Sequence, residues 1–345
     1  ACSRRPEEIM SDMLNHYYCG REILQKLPHD NRFRQAALTH YDAYRFGTQG
    51  PDFLYYSVLS ALVHRKSQKL AKLIHTQNTS RFFYDGLRYS LNSENPDIGL
   101  AYMAGYTTHY ALDVETHPFI FCRTGKFEAS QPWTRVYGYM HKMYEVLLDT
   151  AMAQYEYKEQ AVYQTCEKVF QVRPETSDYL EKFYHDTALE TYGFVTTPGA
   201  VTASQKAALH IVETAKDSSG IRRKIIAPVE NMVGQPLAVT RLLYPVYTDE
   251  LSVLNLNHET WHQPVTGQAH NESYPQLFHS AVDKGAYLLE NTNSLIQKNN
   301  FTSDDILALY KNKSYLSGVG CEIEETFKYF DLFFDSPLSA QKLCG

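Results

Sequence analysis

Apolar residues recur at helical spacing along most of the chain, and proline or glycine marks most of the breaks between those runs. Ile9, Met13, Tyr17, Ile23, Leu24 and Leu27 predict a helix from Pro6 to about Leu27, closed by Pro28. Similar runs predict helices over 31–39 and 53–78. Asn95-Pro96-Asp97 reads as the start of another, with proline at its first position. A long helical run follows over 132–166, and the last third shows stretches near 202–217, 228–246, 274–298 and 303–313. Alternating, strand-like patterning is weak, so the expected class is all-α. The break at Thr196-Thr197-Pro198-Gly199 suggests a helical core over 1–198. Residues 199–345 are then a helical extension packed on it, or part of one domain.

Small residues distinguish the helix opened by Asn95. Gly99, Ala101, Ala104, Gly105 and Ala111 let neighbours approach closely, which predicts a central, buried element. The same helix carries His109 and Asp113. Four residues at roughly 3.6 per turn place them one above the other on one face. His117 falls a turn later, and Pro118 disfavours α geometry at the residue before it, so the helix is expected to end there with His117 swinging outward. Two metal ions side by side could be served by such a row. His141 and Glu145 repeat the one-turn spacing on the 132–166 helix, with Asp149 a further turn along to orient a ligand. Asp52 follows two glycines and a proline, where a turn presents it at the start of the next helix either as a cap or as a ligand.

Charge narrows the partners. The 345 residues carry 33 Lys plus Arg against 39 Asp plus Glu, a net charge of −6, with no long block of like charge, so a stable nucleic-acid complex is not expected. The basic run Arg222-Arg223-Lys224 reads as a solvated helix face. Six cysteines stand apart without a Cys-x-x-Cys pair, which indicates isolated thiols and, with no hydrophobic leader, a cytoplasmic protein. The lack of an initial Met leaves room for a trimmed segment and secretion. Histidine and carboxylate without cysteine are the ligand types of a catalytic zinc site, not a structural one.

Taken in order, His16, Gly50-Pro51-Asp52, Ile74-His75-Thr76, His109-x-x-x-Asp113-x-x-x-His117-Pro118 and His141-x-x-x-Glu145 resemble the bacterial zinc-dependent phospholipase C family. The likeness is to its Gram-positive branch with a Gly-x-Gln-Gly-Pro-Asp segment. The motifs span about residues 14–150, and Asn255–Gly267 and Ser273–Phe278 look like the tail of that branch. The resemblance implies an all-α fold, similar to single-strand nucleases of the P1 type, around a cluster of zinc ions. It implies that Asp52, His75, His109 and Asp113 bind one zinc, that His117, His141 and Glu145 bind a second, and that His16 with a bridging Asp113 binds a third. It also makes Asp52 a candidate general base and favours His75 over His64.

The secreted members complete the third site with an N-terminal Trp. This chain has fifteen residues before His16 and begins with Ala, so two zinc ions are expected and the third is open. The implied activity is phospholipase C-type hydrolysis of a phospholipid phosphodiester, with peripheral membrane contact. The alternatives are a P1-type nuclease, a phosphomonoesterase, or a metal-bearing binding protein without catalysis. Tyr55, Tyr56, Tyr106 and Tyr110 flank the candidate ligands, as core packing or as faces for a choline headgroup. His40, His185 and His210 read as ordinary turn or helix residues. His258, His262, His270 and His279 form a denser group that could line the pocket.

Overall fold

The computed structural model describes residues 13–57, 60–158, 163–215, 217, 219–245, 247–298 and 301–342. Residues 6–12 of the first predicted helix, and Cys2 and Cys344, lie outside them. In chain order α1 (Met13–Lys26), α2 (Arg32–Thr39) and α3 (Tyr41–Gly47) lead to a 3-10 turn, Asp52–Tyr56. Then come α4 (Ala61–Thr76), α5 (Thr79–Asn92), α6 (Pro96–Thr124), α7 (Arg135–Tyr155), α8 (Tyr163–Phe170) and α9 (Pro174–Tyr192). The last third holds α10 (Ala200–Thr214), α11 (Ile221–Met232), the antiparallel pair β1 (Trp261–His262) and β2 (Ala269–His270), α12 (Tyr274–Gln297), α13 (Ser303–Tyr310) and α14 (Pro337–Lys342). The expected all-α class is what the structure shows.

α6 is the axis of the molecule. Its 29 residues extend about 44 Å at 1.5 Å per residue. From Ile98 to Thr124 nearly every side chain is buried, as befits a helix apolar on all sides. α1, α2, α3, α5, α7 and α12 all pack on it. The small residues act as the sequence suggests: a Cβ at Gly105 would sit 2.0 Å from the Tyr44 carbonyl oxygen, so α3 and α6 touch backbone to backbone there. One apolar core joins Phe46, Leu112 and Leu147 to Phe278, Leu289 and Tyr315 from the last third.

Several element boundaries differ from the sequence reading. The 53–78 run is broken after the 3-10 turn, and α4 restarts where the Ser60 side chain accepts from Val63 N. The 132–166 run stops at Tyr155, close to Lys158, whose φ of +54° turns the chain away. The stretch expected over 228–246 is α11, shifted towards the N-terminus and ended just before Gly234 with φ +67°.

Pro118 does not end α6, which continues to Thr124. A proline at this position leaves the Val114 carbonyl without its helical donor. Gly318 fills the space instead: its φ is +68°, and a Cβ there would lie 2.6 Å from the Val114 oxygen. Only glycine combines that backbone angle with that approach.

Candidate metal centre

Five elements deliver the eight candidate residues to one place. α1 brings His16, the 3-10 turn Asp52, α4 His75, α6 the row His109, Asp113 and His117, and α7 the pair His141 and Glu145. All eight are at most 3% exposed. The i, i+4 pairs meet as their spacing requires: His109 Nε2 lies 3.0 Å from Asp113 Oδ2, and His141 Nε2 3.1 Å from Glu145 Oε1. Further contacts within α6 and between helices close the cluster. His16 Nε2 is 3.2 Å and His117 Nε2 3.6 Å from Asp113 Oδ1, and His117 Nε2 is 3.8 Å from Glu145 Oε1. Asp113 thus faces three histidines and stands between the two halves.

The loop before Asp52 is shaped by its contacts. Gly50 has φ +51°, and a Cβ would come within 2.1 Å of the His109 ring, so glycine is required on both counts. Gln49 Nε2 donates to the Met13 carbonyl, which ties this loop to the start of α1. Asp52 makes no capping bond to its own turn. Its Oδ1 pairs with His75 Nε2 at 2.9 Å. The cap reading of Asp52 therefore fails for a physical reason: the carboxylate points across to α4.

The outer ring nitrogens are anchored. His75 Nδ1 lies 2.7 Å from the Ala71 carbonyl, His117 Nδ1 2.9 Å from the Tyr315 carbonyl, and His141 Nδ1 3.2 Å from Thr124 Oγ1. A carbonyl can only accept, so in His75 and His117 the proton resides on Nδ1 and the Nε2 lone pair turns inward, as in histidines that bind metal. Asp149 orients α1 and not a ring: its carboxylate accepts from Leu14 N and Asn15 N, at the first turn of the helix carrying His16.

Electrostatics favour a cation here. Burial holds the His109 imidazole below its usual value, so it is neutral and a ligand form near pH 7. Burial pushes the carboxyl of Asp113 up, but His109, His117 and His16 outweigh it and hold it well below the usual range. Glu145 behaves alike, burial being overcome chiefly by His141 and Lys142. Three carboxylates are thus buried together with one lysine among the neighbouring cations, Lys142, whose Nζ is 3.4 Å from Glu145 Oε2. Uncompensated buried charge is costly. Both oxygens of Asp113, both nitrogens of His109, His141 Nε2 and Asp52 Oδ2 lack an aligned hydrogen-bond partner. Divalent cations satisfy both conditions, and a nitrogen and oxygen donor set without sulfur fits zinc.

Within 4.8 Å, three groups can each hold an ion: His75 with His109 and Asp113, His117 with His141 and Glu145, and His16 with Asp52 and His109. These groups differ from the expected sets: Asp52 falls with His16 and His109 and not with His75, and Asp113 is outside the third group although its Oδ1 lies 3.2 Å from His16 Nε2. His64 stays outside, bonded to the Ser57 carbonyl. His40 pairs with Arg173, and His185 with Thr196. The later histidines do not line this pocket: His258 meets Asn271, His262 Asp331, His270 Trp261, and His279 Glu156. Tyr56, Tyr106 and Tyr110 are core, with Tyr106 accepting from Tyr315 Oη and Tyr110 donating to the Tyr310 carbonyl.

Sequence reasoning missed Lys142, Thr124 and Tyr315. Lys142 had a signal, its i, i+3 spacing to Glu145. The Tyr315 carbonyl had none, because any residue offers one.

Beside the cluster a cleft of about 850 Å³ reaches His75. Arg65, Lys69 and Lys72 lie along one face of α4 on its wall, with Tyr55, Lys126, Glu322 and Glu325 also lining it.

Neither a curated protein nor a solved structure matches the chain. A family model described as zinc-dependent phospholipase C matches residues 15–193, over half of the chain and the segment that supplies every residue of the cluster. The chain belongs to the zinc-dependent phospholipase C family.

Proposed function

We propose that this chain is a zinc-dependent phospholipase C that hydrolyses the glycerol-side phosphodiester of a phospholipid. The observation that carries the reading is the buried nest of three carboxylates and five histidines, with Nε2 atoms turned towards carboxylate oxygens. His75, His109 and Asp113 would hold one ion, His117, His141 and Glu145 another, and His16 with Asp52 a third. Zinc in such a site supplies Lewis acidity towards a phosphoryl oxygen and lowers the pKa of water.

Asp52 supplies the base. One of its oxygens lies 2.9 Å from the inward-turned His75 Nε2, and the other, Oδ2, has no aligned partner and is left to take a proton. Water oxygen bonds to phosphorus, the bond from phosphorus to the glycerol oxygen breaks, and the proton taken by Asp52 Oδ2 passes on to that leaving oxygen. Tyr315 and Thr124 keep the rings of His117 and His141 from turning while charge develops.

The cleft at His75 is the approach that best suits the substrate. Arg65, Lys69 and Lys72 have no carboxylate partner among the described residues, and they attract a phosphodiester while disfavouring a choline cation. Phosphatidylglycerol is therefore the expected better substrate than phosphatidylcholine. The test is release of diacylglycerol from each lipid by zinc-loaded protein, with Lys69→Glu lowering kcat/KM on phosphatidylglycerol about tenfold at low salt. Stoichiometric zinc with no turnover of either lipid contradicts the reading. Nucleotides released from single-stranded DNA in their place would favour the nuclease alternative.

A further inference from the structure

α11 is built inside out. Its buried side chains are Arg223 and Glu230, both charged, while Ile221, Ile225, Val229 and Met232 are 52–81% exposed. At about 100° per residue these four fall within a wedge of roughly 80° on one side of the helix. Arg222 and Lys224 flank the wedge, one on each edge, and both are exposed. Neither forms an ion pair among the described residues.

The polar face is what fastens the helix to the protein. Asp217 accepts from Arg222 N and Arg223 N. Arg223 Nη2 donates to the carbonyls of Thr240 and Leu243. Glu230 accepts from Thr240 N at 3.0 Å, Thr240 Oγ1 at 2.6 Å and Gln341 Nε2 at 2.9 Å. A helix secured by buried charges presents its apolar residues outward as a fixed feature. Scattered exposed apolar residues are ordinary, but four in register between two cations are not.

We infer that α11 docks the protein on an anionic lipid surface, with Ile221, Ile225, Val229 and Met232 entering the acyl boundary and Arg222 and Lys224 meeting lipid phosphates. An apolar wedge bordered by basic residues is the arrangement of a helix lying in a membrane interface. No helix among the described residues is long and apolar enough to cross a membrane, so the contact is peripheral. The choice of lipid over a protein partner rests on the charge complementarity and, in part, on the phospholipase reading.

The test is co-flotation of the full chain with vesicles of phosphatidylcholine alone and of phosphatidylcholine mixed with phosphatidylglycerol. Wild type should bind the mixed vesicles, more weakly as salt rises. The double substitutions Ile225→Glu with Met232→Glu, and Arg222→Glu with Lys224→Glu, should each weaken binding about tenfold or more. Circular dichroism and hydrolysis of a water-soluble short-chain phosphodiester should stay unchanged in both. Flotation needs no turnover, so lost binding in the variants with no hydrolysis by any form sinks the hydrolase and keeps the docking face. Equal binding by wild type and variants, or no binding by wild type, overturns the inference. So does a wild-type dimer that Met232→Glu converts to a monomer without any change in flotation.

Discussion

At the scale of single residues, the centre depends on atoms that touch no ion. Thr124 Oγ1 meets His141 Nδ1 at 3.2 Å and also donates to the Ile120 carbonyl. Replacing it by Val keeps the shape and removes the partner. Thr124→Val is expected to lower zinc affinity about 10- to 100-fold, read by competition with a chromogenic chelator, while leaving the unfolding midpoint of chelated protein nearly unchanged. Gly50→Ala acts from the opposite side, because its methyl group would strike His109. It should cost about 2–4 kcal/mol in thermal or urea unfolding, and the surviving protein should bind less zinc.

At the scale of elements, Asp42 on α3 fastens α9. Its carboxylate accepts from Arg173 N and Nε at 3.0 Å and from Thr176 Oγ1 at 2.7 Å, at the first turn of that helix. Burial raises its pKa, but these bonds outweigh burial and lower it. A depressed carboxylate gives stability that is present above its unfolded value, about 3.9, and lost as pH falls through the lower folded value. The exposed Arg173 side chain limits the gain to about 1 kcal/mol. Urea unfolding should therefore show Asp42→Asn less stable than wild type at pH 7, with the gap closing below about pH 4.

How much of this could be read beforehand follows from spacing. His109 with Asp113, and His141 with Glu145, were legible because a helix turns the interval i, i+4 into adjacency. Gly50 and Asp52 were legible as a turn that presents a carboxylate, although its partner on α4, His75, followed only from the family resemblance and not from spacing. Pro118 misled, since its local preference ends a helix, whereas α6 runs on to Thr124 with the Gly318 backbone packed against the Val114 carbonyl. α11 was misplaced because its apolar and polar faces are reversed relative to a helix that packs by its apolar side.

At the scale of the whole molecule, the last third is part of the centre. Tyr315 N donates to the His75 carbonyl, its own carbonyl accepts from His117 Nδ1, and its ring lies 5.1 Å from that of His75. α12 lies along α6, and the two share the core. Calorimetry of the full chain should give one unfolding transition. A fragment ending at residue 198 should fail to bind zinc. Removing metal leaves three buried carboxylates without their cations. Chelation should then lower the unfolding midpoint by about 5 °C or more.

The most direct measurement is anomalous scattering from a crystal at the zinc absorption edge. Peaks are predicted beside His109 Nε2 and Asp113, and again among His117, His141 and Glu145. Well-ordered side chains with no zinc signal in either place, or zinc found only on the surface, would contradict the account.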